Sequence, residues 1–231
     1  MSGPTLVGDE PAHGQPAPTA RPAPGRHAAL VRGEAVLEER VEAVLDAVPA
    51  REREARPEAL ARAQRQRRRW ATQVVVVDEL ARRACAERGL APPPEVSPAR
   101  VLAVSGTEVA DLGSIVAVAL AHSPAVRALL AALEAEQQVP ERAARAYYDR
   151  NPDRFLTPEA LRRGVDPYGV AGAGDFLPYA AVRDEVVREL RRAVGRQAFL
   201  DWLDRARAEV EYAPGHEHPG DPSHPDHEHR H

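Results

Sequence analysis

From Pro57 to Gly89 the chain runs without an internal proline or glycine. Proline suits a first helical turn, where its missing N–H has no intrahelical partner, and glycine suits the position just past a helix end. Between them Leu60, Trp70, Val74, Val77, Leu80, Ala81 and Ala84 recur at helical spacing. The spacing predicts one long helix. The run Val74-Val75-Val76-Val77 has strand propensity. The flanking Gln, Glu, Arg and Ala favour helix, and tertiary context is expected to decide for helix.

The other segments are read against that helix. Residues 1–27 hold few large apolar side chains, too few to offset the entropy of ordering, and are expected to be disordered. Ala28 to Arg32 reads as a short strand. A turn at Gly33-Glu34 follows, then an amphipathic helix bearing Val36 or Leu37, Val41, Val44, Leu45 and Val48, stopped by Pro49. Pro92-Pro93-Pro94 is a stiff linker. Asp111 is placed to cap an apolar helix from Leu112 to His122, and Ser123-Pro124 restarts a second helix to about Gln137. Residues 95–138 therefore read as an inserted helical hairpin. Pro140 opens a helix from Glu141 to Arg150, closed by Asn151-Pro152, and the glycine-rich 157–175 reads as an open loop. A final helix from about Pro178 to Ala208 carries Val182, Val186, Leu190, Val194, Phe199, Trp202, Leu203 and Ala206, and Val210 to Tyr212 extends into a strand. The expected fold is mainly α with at most two short strands. One domain, 28–213, lies between disordered ends, the second being 214–231.

With 43% hydrophobic residues in 231, the chain can build a real core. A net charge of −4 supplies no basic excess for phosphate backbones, so nucleic acid is excluded as a partner. The single cysteine, Cys85, forms no internal disulfide and is expected to be buried and inert, which fits a reducing compartment. The first ten residues lack the basic start and apolar run of a secretory signal. No stretch reaches the ~18 apolar residues of a membrane span, so a cytoplasmic protein without membrane contact is expected.

Three segments together resemble the SurA-type and parvulin-associated foldase chaperones. Leu30-Val31-Arg32-Gly33-Glu34-Ala35-Val36 with its helix is similar to that family's opening strand, glycine turn and first helix. The helix ending Ala86-Glu87-Arg88-Gly89-Leu90 is similar to its long helix. Val139 to Phe155, containing Tyr147-Tyr148 and Asn151-Pro152, resembles the segment leading into the prolyl isomerase domain, and the helix with Phe199 and Trp202-Leu203 resembles the returning C-terminal helix. Between Leu161 and Phe176 there is room only for a loop, whereas an independent domain needs at least ~50 residues. The resemblance therefore implies a chaperone scaffold without isomerase activity and carries over no catalytic residue. It also implies an apolar groove for a client protein, with Trp70, Tyr147, Tyr148, Phe155, Phe199 and Trp202 as candidate lining, although packing in the core is the default for such aromatics.

The last sixteen residues hold six of the nine histidines: His216, His218, His224, His227, His229 and His231. Neutral imidazole is a good ligand for Ni, Zn and Cu, and His-x-His spacing in an extended chain puts two rings on one side. Transient binding of a divalent transition metal is expected, because a flexible site loses entropy on binding. The alternative is a solubilising tail or a docking peptide. The combination of scaffold and tail is similar to that of nickel chaperones and His-tailed prolyl isomerases that help mature hydrogenase or urease. This points to a non-enzymatic assembly chaperone. An accessory subunit bound to a larger enzyme and a small acyltransferase-like enzyme are the alternatives, and exposed stripes on the long helices would support a homodimer.

Other signals are weaker. Ala121-His122-Ser123-Pro124-Ala125 echoes an acyltransferase elbow but lacks its glycines, so Ser123 reads as a helix cap and His122 as a helix-end residue. Arg62, Arg65, Arg67, Arg68 and Arg69 read as a solvated helix face. Gly169, Gly172 and Gly174 follow no strand-and-helix frame and make no phosphate loop.

Overall fold

A computed structural model describes residues 26–48, 56–91, 104 and 106–218. In chain order the elements are β1 (His27–Val31), β2 (Glu34–Leu37), α1 (Glu38–Ala47), α2 (Pro57–Glu87), α3 (Gly106–His122), α4 (Pro124–Ala135), α5 (Glu141–Arg150), α6 (Pro158–Arg163), α7 (Tyr179–Arg207) and β3 (Val210–Tyr212), with 3-10 turns at Pro152–Phe155 and Ala173–Asp175. The mainly helical class and the long α2 agree with the sequence reading. The sheet has three strands in the order β2-β1-β3, all antiparallel pairs, so one strand more is present than expected. The difference lies at Val36 and Leu37, read as helix but folded as β2. Arg32 (φ 51) and Gly33 (φ 80) both take positive φ, the two-residue turn that matches strand twist, and this closes β1 onto β2. Val36 then points into the core from a strand, 1% exposed.

The main core lies around the middle of α2. Val74, Val75, Val76 and Val77 are all buried, so the helix is enclosed on every side there rather than on one stripe. α1, α3, α4 and β1 supply the enclosing walls, with Val41, Val44, Val126, Leu129, Phe199 and Leu203 in the same cluster. α3 is broken at Gly113 (φ 78), and its later part meets α4 at 112°, an open corner whose side chains belong to this core. Ser123 caps α4 as expected, its Oγ accepting from Val126 N at 3.1 Å. Cys85 is buried and its Sγ donates to the Ala125 carbonyl at 3.4 Å. α4 and α7 approach so closely that a Cβ on Gly195 would lie 2.7 Å from Glu134 Cα.

A second, smaller lobe is built from α5, the Pro152–Phe155 turn, α6 and the first half of α7. Ala144, Phe155 and Val186 form its buried cluster, with Tyr147, Tyr148 and Tyr179 packed on them, and Leu156 and Ala160 are buried beside it. The expected open loop at 157–175 is partly helical instead. Thr157 Oγ1 accepts from Ala160 N at 3.2 Å, Pro158 opens α6, and Gly164 (φ 69) ends it in the left-handed region. The two ends of this segment are tied by a Leu156–Phe176 bridge, with Thr157 N donating to Asp175 O at 2.8 Å and Leu177 N to Phe155 O at 2.7 Å. No single helix among the described residues is long and apolar enough to cross a membrane.

Candidate functional site

The C-terminal strand carries the chain back to the centre of α2. β3 pairs with β1, and Ala213 N donates to Ala28 O at 3.0 Å. A turn at Pro214-Gly215 (Gly215 φ 87) follows, closed by His216 N donating to Ala213 O at 3.0 Å. This turn drives the His216 ring into the body of the protein, where it is 4% exposed. The expectation of a free tail from Pro214 is therefore corrected: ordered contacts continue to His218, because pairing of β3 aims the next residues at α2.

Three side chains of α2, those of Thr72, Arg69 and Gln73, hold this root. Thr72 Oγ1 donates to the Arg68 carbonyl at 3.0 Å and lies 2.8 Å from His216 Nδ1. Its one hydrogen is used on the carbonyl, so the hydroxyl receives Nδ1–H from the imidazole. That tautomer leaves a lone pair on Nε2, which stands 3.7 Å from Glu38 Oε1. Burial pushes the His216 pKa below its ordinary value, with Glu38 opposing the shift and Arg68 adding to it, so the ring is neutral at neutral pH. Arg69 is fully buried and donates from Nε to Glu217 O at 3.0 Å and from Nη2 to His218 O at 2.9 Å. A buried guanidinium is tolerated when its donors are occupied, and here they meet backbone carbonyls. Tyr212 Oη donates to Gln73 Oε1 at 3.0 Å beside them.

Next to this root is an open cleft of about 620 Å³, lined by Arg26, Glu38, Arg65, Arg67, Arg68 and His216 among others. Arg67 Nη2 donates to the carbonyls of Leu45 and Val48, which satisfies the open C-terminal end of α1. Arg68 pairs with Glu42 at 2.8 Å. The solvated face expected for Arg62 to Arg69 is thus overturned at two positions. Arg69 is core, and Arg67 is half-buried as a cap on α1. Sequence periodicity could not find Arg69, since nothing local distinguishes it from its neighbours in an arginine run.

The predicted aromatic residues divide between the two cores. Phe199 is fully buried and stacks at 5.2 Å on Trp202, and Trp70 packs half-buried against the same cluster. Phe155 is buried in the small lobe, 4.8 Å from Tyr148. Tyr148 Oη donates to Leu177 O at 2.7 Å and Tyr147 Oη to Glu189 Oε1 at 2.9 Å. None of these lines an open groove as a set. The apolar side chains that do face solvent in the small lobe are Leu161 (60% exposed), Tyr168 (69%) and Val170, which is fully exposed.

Of the predicted metal ligands, His216 is in the core and His218 has its backbone held by Arg69. His224, His227, His229 and His231 lie outside the described residues. Among the described residues no group of three or more His, Cys, Asp and Glu side chains is arranged to hold a metal. Comparison with protein families, characterised proteins and solved structures returns no match to this chain.

Proposed function

We propose that the protein is a non-enzymatic folding or assembly chaperone that works in the cytoplasm and holds its client through the small lobe. The observation that carries this reading is the placement of Leu161, Tyr168 and Val170, exposed on a segment closed at its base by the Leu156–Phe176 bridge. Exposed apolar residues grouped on one tethered segment are the chemistry that holds unfolded chains. The segment also stands where the resemblance places an isomerase domain. Against the acyltransferase alternative, Ser123 is 1% exposed and committed to Val126 N, so its hydroxyl is not presented to a substrate.

The test is suppression of aggregation of a model client at stoichiometric amounts, with Leu161→Asp/Val170→Asp as the variant. Loss of suppression with an unchanged melting temperature supports the reading. Undiminished suppression by the variant overturns the site, and no suppression by the natural chain overturns the function. A role in maturing a metalloenzyme adds the tail as a transient carrier of Ni, Zn or Cu. Because residues up to His218 are built into the fold, the informative truncation ends after His218. Isothermal titration with Ni and Zn should lose its signal in that truncation, and an unchanged signal would remove the tail from the proposal.

A further inference from the structure

Three tyrosines of the small lobe donate their hydroxyl hydrogen to a carboxylate, and two of them are completed by arginines. Tyr179 Oη donates to Glu141 Oε1 at 2.7 Å, with Arg145 at 4.8 Å from the ring centroid and Arg183 paired to Glu141. Tyr147 Oη donates to Glu189 Oε1 at 2.9 Å, with Arg154 at 5.5 Å from its centroid and paired to the same Glu189. One attraction underlies both: the face of an aromatic ring carries negative potential, and a phenol bonded to an anion is polarised to carry more. Tyr168 is the third, its Oη donating to Asp153 Oδ1 at 2.7 Å. Among the described residues no arginine stands over this ring and none pairs with Asp153. The arginines of the neighbouring sequence are committed, Arg154 to Glu189, Arg162 to Glu159 and Arg163 to Asp175. A second carboxylate with no paired cation among the described residues, Asp166, accepts the Tyr168 N–H on Oδ1 at 3.0 Å. The bond to Asp153 raises the Tyr168 phenol above its ordinary pKa, and the charges of both carboxylates add to the shift.

We propose that Tyr168, Asp153 and Asp166 receive an arginine side chain of the client, with Val170 and Leu161 taking an aliphatic residue beside it. The partner is the client of the chaperone reading, on which this site depends, narrowed to polypeptide segments in which arginine adjoins an aliphatic side chain. Exposed carboxylates by themselves are satisfied by water. What singles these out is the unit that the lobe builds twice with its own arginines, begun here on a ring 69% exposed and two residues from the fully exposed Val170. A guanidinium suits the site better than an ammonium, because its planar fork stacks on a ring and pairs with a carboxylate at once.

The experiment is fluorescence anisotropy of the full chain with a fluorescein-labelled peptide, Gly-Ser-Leu-Arg-Val-Ser-Gly. The control is the same peptide with citrulline, an uncharged isostere, in place of arginine. At low salt the arginine peptide should bind about fivefold or more tighter than the citrulline peptide. The difference should shrink in about 1 M salt, where screening reaches about 3 Å. Asp153→Asn/Asp166→Asn should close most of that difference while leaving the citrulline peptide unchanged. Should that variant fail to fold, Tyr168→Leu, which keeps an apolar side chain and removes the ring, tests the same preference. Equal affinity for the two peptides, a preference that survives these substitutions, or no binding of either peptide at millimolar concentration would each overturn the proposal. Equal affinity with suppression of aggregation intact strikes the arginine site and leaves the chaperone reading. A preference for arginine in a chain that suppresses no aggregation keeps the site and strikes the chaperone.

Discussion

The main core and the small lobe are held by different physics. Around α2 the contacts are mainly apolar, with four consecutive valines enclosed and Phe199 fully buried. In the small lobe the buried residues are the few apolar side chains Ala144, Phe155, Leu156, Ala160 and Val186, and much of the remainder is tyrosine hydroxyls, ion pairs and arginines over rings, such as Arg145 at 4.8 Å from the Tyr179 centroid. Arg183 pairs there with Glu141 at 2.7 Å between exposed side chains, a kind of contact worth little in water. Hydrophobic area scales stability, so the α2 core is expected to set the global unfolding free energy and the lobe to open at lower cost.

Phe199→Ala offers the hardest test of that contrast and the largest effect. Removing a fully buried ring from the α2 core should cost about 3–5 kcal/mol in urea unfolding. A loss under about 1 kcal/mol would show that this core is not the stabilising unit. Next is Gly195→Ala, where the new methyl meets Glu134 Cα. Overpacking there should cost about 1–3 kcal/mol, read as a drop in melting temperature, and a neutral result would mean that α4 and α7 slide apart freely.

Tyr148→Phe sharpens the other side of the comparison. It removes the bond to Leu177 O, worth about 1 kcal/mol, and hydrogen exchange should quicken in α5 and α6 while α2 amides stay protected. Faster exchange throughout would join the two regions into one cooperative unit. The smallest effect is that of acid on His216. Its folded pKa lies below the ordinary 6.5, so between the two values the unfolded chain binds the additional proton. Stability from this group is complete above about pH 6.5 and falls as pH drops toward the folded pKa, and below that the loss levels off. His216→Asn should flatten that part of the pH profile, whereas the carboxylates held low by arginines, Glu79 by Arg40 and Arg83 and Glu141 by Arg183, act at lower pH and keep their contribution.

The sequence by itself determined the helical class and most helix limits, because those limits are set by residues within a turn of the boundary. Pro57 and Gly89 bracket α2, Pro140 and Asn151-Pro152 bracket α5, Pro178 precedes α7, and Ser123 caps α4. The same local signals, Thr157-Pro158 and Gly164, mark α6, and were obscured by the glycines that follow them. Tertiary structure alone decided the rest. Val36 became a strand residue because Arg32-Gly33 turned it back onto β1, and Val74 to Val77 stayed helical because four elements enclose them. The candidate site joins Thr72 to His216 across 144 positions and Arg69 to His218 across 149. Periodicity within one helix says which residues share a face, but what that face meets depends on contacts between distant segments, and so a histidine read as tail became core and an arginine read as surface became its anchor.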